Sequence, residues 1–174
     1  VITSVAISEL DRDAAVRRLV EQASRSGFAI AFDLLGDRAE AEDVIQDALV
    51  RTLAGLHRLR DPRALDAWFF RVVTNACIGI LRRRRVANAF VRLLGARGEP
   101  AHTPSTHGRD HARLLAEIDE LPAMQKAALV LRYGQDLGID EVARILDIGA
   151  ETAKTHLKRA RERLRIRLGV DDER

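Results

Sequence analysis

The sequence LDIGAETAKTHLKRARERL, residues 146–164, has two unlike faces when wound as a helix. Ile148, Ala153, Leu157, Ala160 and Leu164 fall mostly three or four residues apart, so they line one side. The other side carries Thr152, Lys154, Thr155, Lys158, Arg159, Arg161 and Arg163. Immediately upstream, Val142, Ala143, Ile145 and Leu146 form the inward face of a short helix, and a tight turn follows at residues 147–149. A second helix starts near Ala150, and this is the spacing of a helix-turn-helix. Thr and Lys near the helix start can reach base edges, and Lys158, Arg159, Arg161 and Arg163 can neutralise phosphates. An ordinary amphipathic helix with a solvated basic face satisfies the same local pattern, so the rest of the chain must arbitrate.

The chain has 174 residues, room for one domain or two small ones. Apolar residues make up 47%, enough for a core, and aromatics only 4%, which favours helices over a sandwich or barrel. The net charge of +3 hides opposed patches. Residues 150–167 hold seven cations against Glu151 and Glu162, whereas residues 36–47 hold five anions against Arg38. One cysteine, Cys77, excludes an internal disulfide and suits a small core position. No secretory signal and no bilayer-spanning run is visible, so the expected setting is the cytoplasm without membrane insertion.

Residues 8–35 read as helix, weakened at SRSG. In GDRAEAEDVIQDALVRTLAGLHRL, Asp37 and Glu40 fit a capping box. Ala41, Val44, Ile45, Ala48, Leu49, Leu53 and Leu56 form an apolar stripe. Asp43, Gln46 and Asp47 share another side, which suits either plain solvation or a basic protein partner. Pro62 breaks the helix and Asp66 can cap the next one, LDAWFFRVVTNACIGILRRRR. Phe70 suits the core. Trp68 and Phe69 suit either the core or a platform on which unpaired bases stack. Arg82, Arg83, Arg84 and Arg85 repel one another, so a polyanionic partner is expected beside them. GARGEPAHTPSTHGRDH reads as a linker. Its His102, His107 and His111, with Asp110, fit no structural-zinc spacing, and no metal or cofactor is expected. Pro122 suits a first helical turn, and Gly134 and Gly138 bracket a turn before the helix-turn-helix.

Taken in order, these pieces resemble the extracytoplasmic-function branch of the sigma-70 family, bacterial initiation factors with two helical regions. The resemblance covers residues 28–85 and 114–168. LLGDRAEAEDVIQDAL looks like the family's polymerase-clamp segment, AWFFRVVTNACIGILRRRR its promoter-melting segment, and LGIDEVARILDIGAETAKTHLKRARERL its upstream-reading helix-turn-helix. By that resemblance Asp43, Gln46 and Asp47 contact core RNA polymerase. Trp68, Phe69, Arg71, Asn75, Arg82 and Arg83 serve strand separation and the minus-ten element. Glu151, Thr152, Lys154, Thr155, Lys158 and Arg159 read the minus-thirty-five element.

The chain departs from the family pattern at four positions: Gly79 for an acid or amide, Gly138 for a Ser or Thr cap, Asp147 for a turn Gly, and Glu151 for a small residue. Glu151, an acceptor near phosphates, is expected beside a cytosine amine or turned toward Lys154 or Lys158. The resemblance implies an all-α protein with domains at 1–86 and 112–174, a flexible linker at 87–111, promoter DNA and polymerase as partners, an anti-sigma inhibitor, and no enzymatic activity. A stand-alone helix-turn-helix regulator and a small helical enzyme are the rival readings. The first has no use for residues 43–47, and the second lacks a paired acid–base constellation.

Overall fold

The computed structural model describes residues 9–59, 61, 64–93 and 109–169, and every regular element among them is helical. In chain order these are α1 (Glu9–Arg18), α2 (Ser24–Leu35), α3 (Arg38–Gly55), α4 (Leu65–Leu93), α5 (Arg109–Asp119), α6 (Ala123–Leu129), α7 (Ile139–Leu146) and α8 (Ala150–Leu168). One π-helical turn, Leu19–Ala23, joins α1 to α2, and another, Val130–Gly134, follows α6. The chain divides into two compact units between Cys77 and Ile78, inside α4.

In the first unit, Asp37 caps α3 as its sequence position suggests, its carboxylate accepting from the Glu40 amide at 2.9 Å. The inward face of α3 carries Ala41, Val44, Ile45, Ala48 and Thr52. Leu53, expected within that stripe, is exposed instead. Helical geometry explains the exchange: Thr52 lies four residues after Ala48 and seven after Ile45, near the middle of the stripe, while Leu53 falls outside it. From α4, Leu65, Phe69, Val73 and Cys77 point inward at four-residue spacing.

The SRSG glycine has a packing role. A Cβ on Gly27 would stand 2.6 Å from Phe69 Cε1 and 3.2 Å from Ile45 Cδ1, so only hydrogen lets α2 meet α3 and α4 there. Pro62, the expected break, lies outside the described residues. Asp66 is not the cap of α4, because the helix already includes Leu65. It sits in the first turn, where a carboxylate suits the helix dipole, 3.4 Å from Arg18 Nε.

The linker starts later than residue 87. α4 remains helical through Leu93, because Val86–Leu93 contains good helix formers and no Gly or Pro. Residues 94–108, with His102 and His107, lie outside the described residues.

In the second unit, Leu121, Ala160 and Leu164 form a core cluster with Ile118, Leu129 and Leu168 against it. Lys126, only 2% exposed, donates to Asp119 at 2.6 Å and so ties α6 to the end of α5. Arg167 of α8 pairs with Glu117 of α5 at 2.9 Å, and Arg113 donates to the Arg167 carbonyl at 3.0 Å. Pro122 immediately precedes α6. The Gly138 amide, before α7, donates to the Glu141 carboxylate at 2.8 Å, half of a capping box without a side-chain cap. Asp147 ends α7 in the left-handed conformation, φ 57°, as its type allows. The turn at 147–149 then delivers α8, whose Ala153, Leu157, Ala160 and Leu164 are buried.

Candidate nucleic-acid interface

On α8, Glu151, Thr152, Lys154, Thr155, Lys158 and Arg159 are all exposed. Helical geometry sorts them onto two sides. Glu151, Lys154, Lys158 and Glu162 share one side, where Lys154 Nζ stands 2.6 Å from Glu151 Oε1 and Lys158 Nζ 3.9 Å from Glu162 Oε1. Glu151 thus turns toward Lys154, one of the orientations its sequence position suggests. Its hydrogen bond and its charge raise the Lys154 pKa above the usual value. Thr152, Thr155, Arg159 and Arg163 share the other side, where Arg159 and Arg163 have no acidic partner among the described residues. Arg163, one turn beyond Arg159 and exposed, keeps the place among the candidate phosphate contacts that its sequence position suggests. The Thr155 hydroxyl donates to the Glu151 carbonyl at 2.8 Å, leaving its oxygen as an acceptor.

On α4, Trp68, Arg71, Asn75 and Arg82 recur at helical spacing along one side, with Arg83 at its border. Asn75, Arg82 and Arg83 are exposed, and Trp68 and Arg71 are half-buried. The benzo ring of Trp68 packs against α3 at Gly55, where a Cβ would come within 2.8 Å of Trp68 Cζ2.

Phe69 corrects the sequence reading. It is 0% exposed, belongs to the Leu65–Val73–Cys77 stripe, and presents no surface to DNA in this structure. Phe70, expected in the core, is half-buried beside it, with ring centroids 6.0 Å apart.

On α3, Asp43, Gln46 and Asp47 are exposed on one side, with Asp47 3.8 Å from Arg51. Val50 continues that side at 68% exposure, an apolar position the acidic pattern did not draw attention to. The same unit therefore carries an acidic face on α3 and a Trp–Arg–Asn face on α4.

Comparison with known proteins matches residues 19–87 to sigma-70 region 2 and residues 111–164 to sigma-70 region 4. The chain belongs to the extracytoplasmic-function branch of the sigma-70 family. Among its relatives, an RNA polymerase sigma-E factor of Streptomyces avermitilis is 32% identical over 139 residues, covering 80% of this chain and 76% of that protein. The RNA polymerase sigma factor SigV of Bacillus subtilis is 28% identical over 148 residues, covering 83% of this chain and 86% of that protein. A similar solved structure is the sigma factor RpoE of Bartonella quintana in complex with the anti-sigma factor NepR. It has a TM-score of 0.66 and 26% identity, and the match covers 92% of this chain and 99% of that one. The acidic face of α3 and the face of α4 lie within the region 2 match, and the α7–α8 helix-turn-helix within the region 4 match. Among the described residues no helix is long and apolar enough to cross a membrane.

Proposed function

We propose that this sigma factor directs bacterial RNA polymerase to its promoters by dividing three tasks among three helices. The acids of α3, Asp43 and Asp47 with Gln46, bind core polymerase. Trp68, Arg71, Asn75, Arg82 and Arg83 on α4 receive the opened minus-ten element. On α8, Thr152, Thr155 and Arg159 read the minus-thirty-five duplex, with Lys154 and Lys158 beside them. The observation that carries this reading is the opposed chemistry of two helix faces, the acids of α3 and the Arg71, Arg82 and Arg83 side of α4. DNA would be repelled by the first and attracted by the second, so the first serves a protein. The chain acts by binding, in the cytoplasm where polymerase and promoter meet, and needs no cofactor. An anti-sigma protein regulates it, a reading supported by the complex in which its structural relative was solved.

Run-off transcription with purified core polymerase and a promoter library tests the assignment. Core polymerase plus this chain yields discrete transcripts, and core polymerase alone does not. Asp43→Lys with Asp47→Lys loses co-purification with core polymerase while keeping the fold, since exposed substitutions usually change stability within about 0.5 kcal/mol. Duplex binding without any polymerase-dependent transcript would favour a stand-alone regulator.

A further inference from the structure

Lysine is rare in this chain. The 29 basic residues include three lysines, Lys126, Lys154 and Lys158, and the rest are arginines. The two types differ in reactivity more than in charge. A lysine ammonium can lose a proton and become a nucleophilic amine, whereas a guanidinium stays protonated. Their surroundings rank the three lysines. Lys126 is 2% exposed and donates to Asp119. Lys154 is exposed, but Glu151 accepts from its Nζ at 2.6 Å, and that hydrogen bond and charge favour the protonated form. The Lys158 side chain is 72% exposed, and Glu162 stands 3.9 Å from its Nζ, beyond hydrogen-bond reach. Lys158 therefore meets an electrophile without breaking a hydrogen bond of the fold.

Cations flank this amine. Lys154 precedes Lys158 by one turn of α8 and Arg161 follows it by one, so all three share a side. Arg161 is exposed and has no acidic partner among the described residues. Charges placed in this way attract a small phosphorylated molecule as they attract a DNA phosphate. The single thiol, Cys77, is buried and does not compete.

From this arrangement we infer that Lys158 is a site of acylation by an acyl phosphate. Lys154 and Arg161 hold the phosphate of the donor, and its carbonyl carbon meets the unprotonated Lys158 amine. Nζ attacks that carbon, the amide C–N bond forms, and the C–O bond to phosphate breaks. Inorganic phosphate leaves with the electron pair, and the proton of the amine passes to water. The product is a neutral amide, so α8 loses one positive charge. The consequence for promoters rests on the proposed function, in which α8 reads the minus-thirty-five duplex. Acylation then weakens that contact, and promoter use falls as the acyl phosphate accumulates.

The test treats the full chain with acetyl phosphate and follows each lysine by peptide mass spectrometry. Lys158 should be acetylated at least tenfold faster than Lys154, and Lys126 should stay unmodified. Inorganic phosphate should slow the reaction at Lys158. Glu151→Gln should raise the Lys154 rate toward that of Lys158, because the carboxylate that holds it is gone. After removal of the reagent, the treated chain should bind promoter duplex at least threefold more weakly, with the salt dependence flattened by about one unit of slope. Lys158→Arg keeps a cation without an acylable amine, so treatment should leave its affinity at its own untreated value. Acetylation of Lys154 as fast as Lys158 in the parent, no slowing by phosphate, an unchanged Lys154 rate in Glu151→Gln, or an equal loss of affinity in treated Lys158→Arg overturns the inference. Run-off transcription separates the two readings. Selective acetylation of Lys158 in a parent chain that supports no transcript leaves the acylation site standing and removes the proposed function.

Discussion

Across one turn of α8, the Lys154 ammonium donates to the Glu151 carboxylate at 2.6 Å. The pair offsets the charge of Lys154 on a helix otherwise suited to phosphates. Both side chains are exposed, so the effect of the pair is expected in DNA binding rather than in stability. Glu151→Gln should strengthen binding to every duplex and steepen the salt dependence by about one unit of slope, as one more cation reaches a phosphate. If Glu151 instead accepts from a cytosine amine, the substitution relaxes preference at one base pair by roughly 1–3 kcal/mol. Titrations against single-base promoter variants at two salt concentrations distinguish these results. No change in affinity, slope or preference would place Glu151 outside the DNA interface.

Trp68 rests on Gly55, and it is the chain's single tryptophan. Gly55→Ala puts a methyl group into the indole's seat, so the half-buried ring must swing outward. The expected result is a red-shifted fluorescence maximum with duplex binding through α8 unchanged. Promoter opening, followed by permanganate reactivity of unpaired thymines, should fall. An unshifted emission spectrum would mean that α3 yields instead of the tryptophan.

The helix-turn-helix was legible because its determinants are local. Asp147 takes the left-handed turn, and the period of Ala153, Leu157, Ala160 and Leu164 needs no knowledge of distant residues. Phe69 was not legible in the same way. Next to Trp68 and Phe70 its sequence position is ambiguous; it shares the four-residue period of Leu65, Val73 and Cys77, and the seat at Gly27 that receives its ring lies on another helix. The same holds for Gly27, which reads locally as a weak point and in the fold is a seat for a ring. Thr52 displaced Leu53 because angular position on α3 outweighs hydrophobicity, and its buried hydroxyl has no hydrogen-bond partner in the structure. The polymerase-facing role proposed for Asp43 and Asp47 could not come from spacing alone, because a solvated acidic face has the same pattern.

Lys126 and Asp119 form a largely buried ion pair, with side-chain exposures of 3% and 29%. Asp119→Ala removes the carboxylate opposite a desolvated ammonium. The expected loss is about 2–3 kcal/mol, below the roughly 3–5 kcal/mol of a fully buried pair because Asp119 keeps some solvent. Lys126→Met, which removes the charge and keeps the apolar stem, should cost less than Asp119→Ala. Urea unfolding monitored by circular dichroism gives both values. A larger loss for Lys126→Met would mean that its other contacts outweigh the ion pair.

His156 gives the stability of α8 a pH dependence. It lies one position before the buried Leu157, and its Nδ1 is buried with no hydrogen-bond partner. Burial first, and the charge of Arg159 second, lower its pKa below 6.5. The neutral ring is therefore favoured in the folded chain. Between the folded pKa and 6.5 the unfolded chain binds more protons, so this contribution to stability rises with pH. It is complete above about 6.5, is lost progressively as pH falls toward the folded value, and declines no further below it. His156→Gln removes the titrating group and keeps a polar side chain. Urea midpoints of the two proteins at intervals from pH 5 to 8 should converge or cross as the solution is acidified, the parent losing more stability than the variant. Because every other histidine and carboxylate is common to both proteins, the difference isolates His156. Parallel curves across the range would show that the ring carries no penalty on protonation.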